Sequence, residues 1–247
     1  MRSDFHNYLG SLQDLEPSNR DPTAPVVAYF DLDRTLISGY SITALALEKM
    51  WSGLSPRRML IHIGIFLEYG LGRSDYHGLL QATVGALAGR PEREMIDLGA
   101  RAFERRLSGL IYDEARQLIA AHQSRQHEVV IITSATRYQA APVAEALGVE
   151  QLLCTELEID AGVITGNVTP CYGDEKLSAA VRFGQQQGAG LESAFFYSDS
   201  EEDLPLLDAV GRPVAVNAKP SLSRIATERG WPQLVFAQQS DGAAIAA

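Results

Sequence analysis

Polar side chains follow apolar, strand-like runs at three points of this sequence, at spacings that could support metal and phosphate chemistry. The run VVAYF ends in two carboxylates one residue apart, and EVVIIT ends in a hydroxyl. The run AFFYS ends in a carboxylate with another one helical turn beyond, and a lysine opens the helical pattern that precedes it. These candidate site residues are Asp31, Asp33, Ser134, Lys176, Asp199 and Asp203.

The clustering of these acids predicts a bound cation. In open parallel sheets, ligands bind outside the carboxyl ends of the strands, so all these side chains should line one crevice. Three carboxylates in one place cannot all stay ionised unless a positive charge lies among them. Mg²⁺ suits such a site, because it takes oxygen ligands and is usually held by one or two carboxylates plus substrate phosphate. Ser134 and Lys176 would then bind the phosphate oxygens that the metal does not reach.

The elements that must position these residues change character at Leu110. From Tyr40 to Leu110 the apolar residues recur at three and four positions, which predicts an all-helical module with no strand. Beyond Leu110, strands alternate with helices, which predicts a parallel sheet with helices on both faces. The segments LLCTELEID and GVITGNVT predict a β-hairpin that turns at residues 160–162, and PVAVN is expected to be the final strand.

These patterns divide the chain into four parts. We expect a loosely held leader over residues 1–24, an α/β core over 25–39 and 110–236, a helical insertion over 40–109, and a tail over 237–247. The leader carries acids and no long apolar run, so it does not resemble a signal peptide. The helical module is therefore predicted to be inserted between the first strand and the rest of the sheet.

Composition and charge narrow the class of protein. The 247 residues include 21 Lys and Arg against 31 Asp and Glu, a formal net charge of -10, which disfavours nucleic acid and anionic membranes as partners. The most apolar stretch, MLIHIGIFLEYGLG, is shorter than the roughly 20 residues that span a bilayer, so no membrane insertion is expected. The two cysteines, Cys154 and Cys171, show no paired spacing, and we expect no disulfide. A cytoplasmic enzyme is the expectation.

Four motifs in order identify a family resemblance. The pattern Asp31-x-Asp33-x-Thr35, then Ser134 after an apolar strand, then Lys176, then Asp199 with Asp203, closely resembles the haloacid dehalogenase-like (HAD) phosphohydrolases. The order of the motifs and the helical insertion resemble the phosphoserine phosphatase-like branch. The resemblance runs from about residue 26 to 217 and implies a Rossmann-like core with a helical cap.

The resemblance implies a role for each acid. Asp31 would be the nucleophile that attacks phosphorus and forms an aspartyl-phosphate. Asp33 would protonate the leaving oxygen and then activate the hydrolytic water. The Asp31 carboxylate, the Asp33 backbone carbonyl and Asp199 would ligate Mg²⁺, with Asp203 as a supporting residue.

The resemblance also implies a phosphate site made of Thr35, Ser134 and Lys176. Ser134 and Lys176 would stabilise the charge of the transferring phosphoryl group. Thr35 would brace the nucleophile loop by hydrogen bonding.

Tyr40 marks a departure from the family pattern. Phosphoserine phosphatases typically place a glutamate nine residues past the nucleophile, where it meets the substrate's amino group, and here that position is Tyr40. The missing acid argues against phosphoserine and makes Tyr40 a candidate for substrate specificity. Cap residues such as Arg57, His62 and Tyr69 are further candidates that the sequence does not rank.

Plainer interpretations exist for each residue taken alone. An aspartate after a strand is commonly a helix N-cap. Ser134 alone is typical of a cap for the next helix, and Lys176 of a solvated charge. Their joint order favours a Mg²⁺-dependent phosphomonoesterase acting on a small phosphorylated metabolite. The alternatives are a phosphotransferase on the same fold and a non-catalytic protein that binds a phosphorylated ligand, while the oligomeric state is left open.

Overall fold

A seven-stranded sheet lies at the centre of the protein in this computed structural model, which describes residues 4–13, 25–51 and 76–237. The strands are β1 (Val27–Phe30), β2 (Glu128–Thr136), β3 (Gln151–Asp160), β4 (Val163–Thr169), β5 (Phe195–Ser198), β6 (Arg212–Val216) and β7 (Gln233–Leu234). Their order across the sheet is β4-β3-β2-β1-β5-β6-β7. All neighbours are parallel except β3 and β4, which form the predicted antiparallel hairpin.

Helices cover both faces of the sheet. The α-helices are α1 (Phe5–Gln13), α2 (Ser41–Trp51), α3 (Tyr76–Gly85), α4 (Glu92–Ala102), α5 (Asp113–Ser124), α6 (Arg137–Ala146), α7 (Asp174–Gln187), α8 (Leu204–Ala209) and α9 (Pro220–Arg229). On one face, Phe30 packs in a buried cluster with residues of α1, α5 and α6. On the other, Tyr29 packs in a cluster with residues of α7, α8 and α9. The predicted α/β class is confirmed.

The central strand β1, from which the crevice begins, is buried over its whole length. All four of its residues are buried, and it pairs in parallel with β2 on one side and β5 on the other. Because successive side chains point to opposite faces, a continuous apolar run is what a strand covered on both faces requires. The residues that follow β1 are therefore held by the best-buried part of the sheet.

The described part of the insertion is helical, as predicted. It comprises α2, α3 and α4, followed by a π-helix (Phe103–Leu107) and a 3-10 helix (Ser108–Leu110). Leu45, Val84 and Met95 from the three α-helices pack in one cluster with Leu157 of β3. Residues 52–75 of the predicted helical module lie outside the described residues.

The prediction of a loosely held leader is wrong for residues 5–13. These residues form α1, whose Leu12 is 1% exposed and whose Tyr8 hydroxyl lies 2.9 Å from that of Tyr197. Phe5, Tyr8, Leu9 and Leu12 recur at the spacing of an amphipathic helix, but the local sequence does not show the distant core residues against which this face packs. The division of the chain at residues 24, 40, 110 and 236 otherwise stays a prediction.

The C-terminal end of the sheet also differs from expectation. The segment PVAVN forms β6, but it is not the last strand, because α9 and the two-residue strand β7 follow it. A strand of two residues is too short to show an alternating pattern. Cys154 and Cys171 are buried and unpaired, as expected. Every helix in the described ranges is too short or too polar to cross a bilayer.

Candidate active site

Three neighbouring strands bring the predicted site residues to one edge of the sheet. Asp31 directly follows β1, Ser134 lies near the end of β2, and Asp199 directly follows β5. The Asp31 backbone N–H donates to the Tyr197 carbonyl at 2.9 Å, which ties the loop after β1 to β5. Asp31 and Asp199 are 7% and 4% exposed. The carboxyl ends of the strands thus form a buried, acidic crevice.

Lys176 is the cation at the centre of this crevice. It lies in the first turn of α7, is almost fully buried, and places its Nζ 2.7 Å from Asp31 Oδ1 and 2.8 Å from Asp203 Oδ1. The Ser198 hydroxyl donates to Asp203 Oδ2 at 2.7 Å, which fixes that carboxylate. A buried ammonium that bridges two carboxylates is held in one orientation, so Lys176 positions the Asp31 carboxylate.

Asp33 is tied to the helical insertion. Its Oδ1 accepts a hydrogen bond of 2.8 Å from the backbone N–H of Ser41, the first residue of α2. The Gln139 side-chain amide donates to the Ser41 hydroxyl at 3.2 Å, which links α2 to α6. Ser41 was not predicted as a site residue, and the sequence carries no signal for this contact, because the backbone N–H that Asp33 binds is present in every residue except proline.

Arg34 is a second unpredicted participant. Its Nε lies 2.8 Å from Asp199 Oδ2, and its backbone carbonyl accepts from the Asn217 side-chain amide at 3.3 Å. Arg34 has a positive φ of 61°, a conformation uncommon for a residue with a side chain. This turn directs the guanidinium back across the carboxyl end of β5.

For Ser134 and Thr35, the part of the chain that the structure describes shows no side-chain contact that bears on the predicted phosphate site. The Ser134 carbonyl accepts from the Thr155 hydroxyl at 2.9 Å and from the Tyr76 hydroxyl at 3.3 Å. Thr35 is fully buried, and its Oγ1 has no hydrogen-bond partner among the described residues, so the bracing bond expected of it is not formed there. The assignment of Thr35 to the phosphate site stays a prediction.

Tyr40 directly precedes the first residue of α2 and is 46% exposed. Its part in specificity stays a prediction. The other cap candidates, Arg57, His62 and Tyr69, lie outside the described residues.

Burial dominates the electrostatics of the acids. It raises the pKa of Asp31 above the usual range; the Lys176 ammonium opposes this, and the carboxylate of Asp203 adds to it. Burial likewise raises the pKa of Asp33, with the Ser41 N–H opposing, and the pKa of Asp199, with Lys219 and Arg34 opposing. Burial thus disfavours the ionised form of each of these acids.

The donor set fits Mg²⁺. No group of three or more His, Cys, Asp and Glu side chains converges in the described ranges, so a cage built from side chains alone is not formed there. Two buried carboxylates at adjacent strand ends, Asp31 and Asp199, provide hard oxygen donors, and Mg²⁺ is commonly bound by one or two carboxylates with substrate and water completing its shell. A divalent cation would also favour the ionised forms that burial disfavours.

Comparison with known proteins agrees with this geometry. The family model described as haloacid dehalogenase-like hydrolase matches residues 28–208. A probable phosphatase of Mycobacterium tuberculosis is 31% identical over 227 residues, which cover 90% of this chain and 79% of that protein. A histidinol-phosphatase of Neisseria meningitidis is 31% identical over 218 residues, covering 85% of this chain and 98% of that protein.

A solved structure shows the same fold. It is that of a Bordetella pertussis protein of unknown function, with a TM-score of 0.77 and 28% identity, covering 86% of this chain and 99% of that one. The family resemblance drawn from the sequence is confirmed by the family model and the related phosphatases. This chain belongs to the haloacid dehalogenase-like hydrolase family and is an enzyme of the phosphatase type within it.

Proposed function

We propose that this protein is a Mg²⁺-dependent phosphomonoesterase that hydrolyses a small phosphorylated metabolite through an aspartyl-phosphate intermediate. The observation that carries the proposal is the Asp31 carboxylate, fixed at the end of the central strand by Lys176 at 2.7 Å, with Asp33 two residues away. A nucleophile, a separate proton donor and a fixed cation are the parts that this reaction needs.

In the first step, an oxygen of Asp31 attacks phosphorus, and the bond between phosphorus and the ester oxygen breaks. Asp33 donates its proton to the departing oxygen, so the alcohol leaves neutral. The raised pKa of Asp33 favours this role, because the carboxyl keeps its proton to higher pH than a free aspartate does.

In the second step, water attacks the phosphorus of the aspartyl-phosphate. Asp33, now ionised, takes a proton from that water, phosphate is released, and Asp31 regains its carboxylate. The Ser41 N–H on Asp33 Oδ1 stabilises the ionised form between the two steps. Asp33 is therefore acid first and base second.

Lys176 and Ser134 would stabilise the phosphoryl group. Lys176 keeps its charge throughout, because the carboxylates of Asp203 and Asp31 hold its pKa above the ordinary value for lysine despite its burial. Asp31, Asp199 and the Asp33 backbone carbonyl would hold Mg²⁺, which would supply further positive charge to the phosphate oxygens. Preorganised charge of this kind is the main contribution to phosphoryl transfer.

Metal removal tests the proposal. With p-nitrophenyl phosphate as the substrate, phosphate release should stop in EDTA and return when excess Mg²⁺ is added. Ca²⁺ should restore little, because its larger and looser coordination shell would misplace the nucleophile. The measurement is inorganic phosphate released over time, with circular dichroism to show that the chelated protein stays folded.

A matched pair of variants locates the metal. Asp199→Asn should raise the Mg²⁺ concentration that gives half-maximal activity, because one carboxylate donor is lost. Asp208→Asn, an exposed acid on α8, should leave it unchanged. Full turnover in EDTA would contradict the mechanism, and transfer of phosphate to an added alcohol in place of release would favour the phosphotransferase alternative.

A further inference from the structure

A partly open cavity adjoins Asp33, the proposed catalytic acid. It has a volume of about 240 Å³ and is lined by Asp33 and Ser134 at one end. Most of its wall is aliphatic and comes from the insertion helices and β3, including Ile42, Leu45, Leu79, Leu80, Met95 and Leu157. Since Asp33 is the proposed proton donor to the leaving oxygen, the organic part of the substrate has to extend from Asp33 into this space.

Apart from Asp33 and the Ser134 hydroxyl, the polar side chains of the wall are neutral and hydrogen-bonded. The Thr83 hydroxyl donates to the Leu79 carbonyl at 2.8 Å. Gln139 accepts from the Thr136 backbone N–H at 2.9 Å through its Oε1 and donates from its amide to Ser41. Among the described residues, Asp33 is the one charged side chain in the wall, and its Oδ1 is occupied by the Ser41 N–H.

Glu48, an acid in the described part of the insertion, does not supply the missing charge. Glu48 on α2 is 1% exposed and lies 3.4 Å from Arg101 and 3.1 Å from Arg105, with Arg106 at 3.8 Å. It is not part of the cavity wall, and its charge is matched by guanidinium groups. Glu48 therefore cannot replace the acid that is absent at Tyr40 without breaking these ion pairs.

We propose that this cavity selects phosphate esters whose organic part is small, apolar and uncharged, such as phosphates of short alkyl or aryl alcohols. This rests on the proposed function, because it assigns the leaving group of that reaction. An ammonium placed against an aliphatic wall loses its hydration without gaining a partner. Methylene groups placed against this wall bind favourably instead, because their transfer from water to an apolar surface lowers the free energy. Esters of amino alcohols and amino acids, phosphoserine among them, are disfavoured.

Binding of phosphonates tests the proposal without requiring turnover. Methyl-, ethyl-, propyl- and butylphosphonate, with Mg²⁺ present, are titrated into the wild-type protein by calorimetry. Affinity should rise about fourfold for each methylene, which corresponds to about 0.8 kcal/mol per buried methylene, until the cavity is full. 2-Aminoethylphosphonate, which has the shape of propylphosphonate, should bind at least tenfold more weakly. The proposal would be overturned by an affinity that does not change with chain length, by no binding of any phosphonate, or by an equal or higher affinity for 2-aminoethylphosphonate.

A charge introduced into the wall should reverse the preference. Leu80→Glu should shift the affinity ratio of propyl- to 2-aminoethylphosphonate by tenfold or more toward the amine. The matched control is Ile96→Glu, an exposed position on α4, which should leave the ratio unchanged. A folded Leu80→Glu protein with an unchanged ratio would refute the assignment, and the wild-type series decides it if this variant does not fold.

Hydrolysis assays separate this inference from the proposed function. Wild-type protein that binds the series as expected but releases no phosphate from any ester with Mg²⁺ would refute the proposed function and leave the cavity assignment intact. Protein that hydrolyses esters but prefers phosphoserine to propyl phosphate would refute the cavity assignment and leave the phosphatase mechanism intact.

Discussion

Asp31→Asn should abolish turnover and leave no phosphoenzyme to trap. The variant loses the attacking oxygen, and nucleophile removal in a well-characterised hydrolase lowers kcat on the order of 10⁶-fold. The asparagine carbonyl can still accept from the Lys176 ammonium, and Asp203 still pairs with that lysine, so the crevice should remain folded. The measurements are phosphate release from p-nitrophenyl phosphate and acid-stable labelling of the protein by a radioactive phosphate ester.

The melting temperature tests whether the loss of activity comes from the missing nucleophile and not from unfolding of the variant. Burial raises the folded-state pKa of Asp31 above its unfolded value, so the metal-free wild type loses stability as pH rises from the unfolded pKa to the folded one. Asparagine is neutral at every pH, so the variant does not undergo this loss of stability. Without Mg²⁺ and at a pH above the folded-state pKa of Asp31, the variant should therefore melt no lower than the wild type. Glu201→Gln, an exposed acid beside Asp199 in sequence, is the activity control. Near-normal activity in Asp31→Asn would mean that the nucleophile is misassigned.

The parts of the fold that could be predicted are those where local pattern and burial agree. The segments VVAYF and EVVIIT are continuous apolar runs because β1 and β2 are covered on both faces, and such runs are visible in the sequence. The short helix α1 and the strand β7 were missed for a different reason. Each is stabilised by packing or pairing with distant residues, as in the contact between Tyr8 and Tyr197, and a local window does not contain that partner.

The same distinction applies to the site. The sequence alone could predict that Asp31, Ser134 and Asp199 lie close together. Parallel strands present their carboxyl ends at one edge of the sheet, and this holds for any conformation of the loops. The sequence could not predict the ion pair of Arg34 with Asp199, because this pair joins residues 165 positions apart and depends on a positive φ at Arg34. The apolar cavity depends on how α2, α3 and α4 pack over β3, which is a property of tertiary structure alone.

Asp33→Asn should retain phosphate binding and lower the rate by roughly two to four orders of magnitude, the range typical of general acid–base catalysis. The asparagine oxygen can still accept from the Ser41 N–H, so the link to α2 is kept while the transferable proton is lost. The defect in kcat/KM, which reports the steps up to formation of the aspartyl-phosphate, should depend on the leaving group. Alkyl phosphates, whose alkoxide needs a proton, should suffer most, and p-nitrophenyl phosphate, whose phenolate leaves unaided, should suffer least.

The second step of the reaction sharpens this test. With p-nitrophenyl phosphate, Asp33→Asn should form the phosphoenzyme readily and hydrolyse it slowly, because no base activates the water. A burst of p-nitrophenolate and an accumulating phosphorylated protein should therefore be seen in rapid-mixing experiments. Ser41→Ala, which keeps the backbone N–H, should show a much smaller rate loss and no burst. Equal slowing of alkyl and p-nitrophenyl esters, without accumulation, would mean that Asp33 positions the substrate and does not transfer the proton.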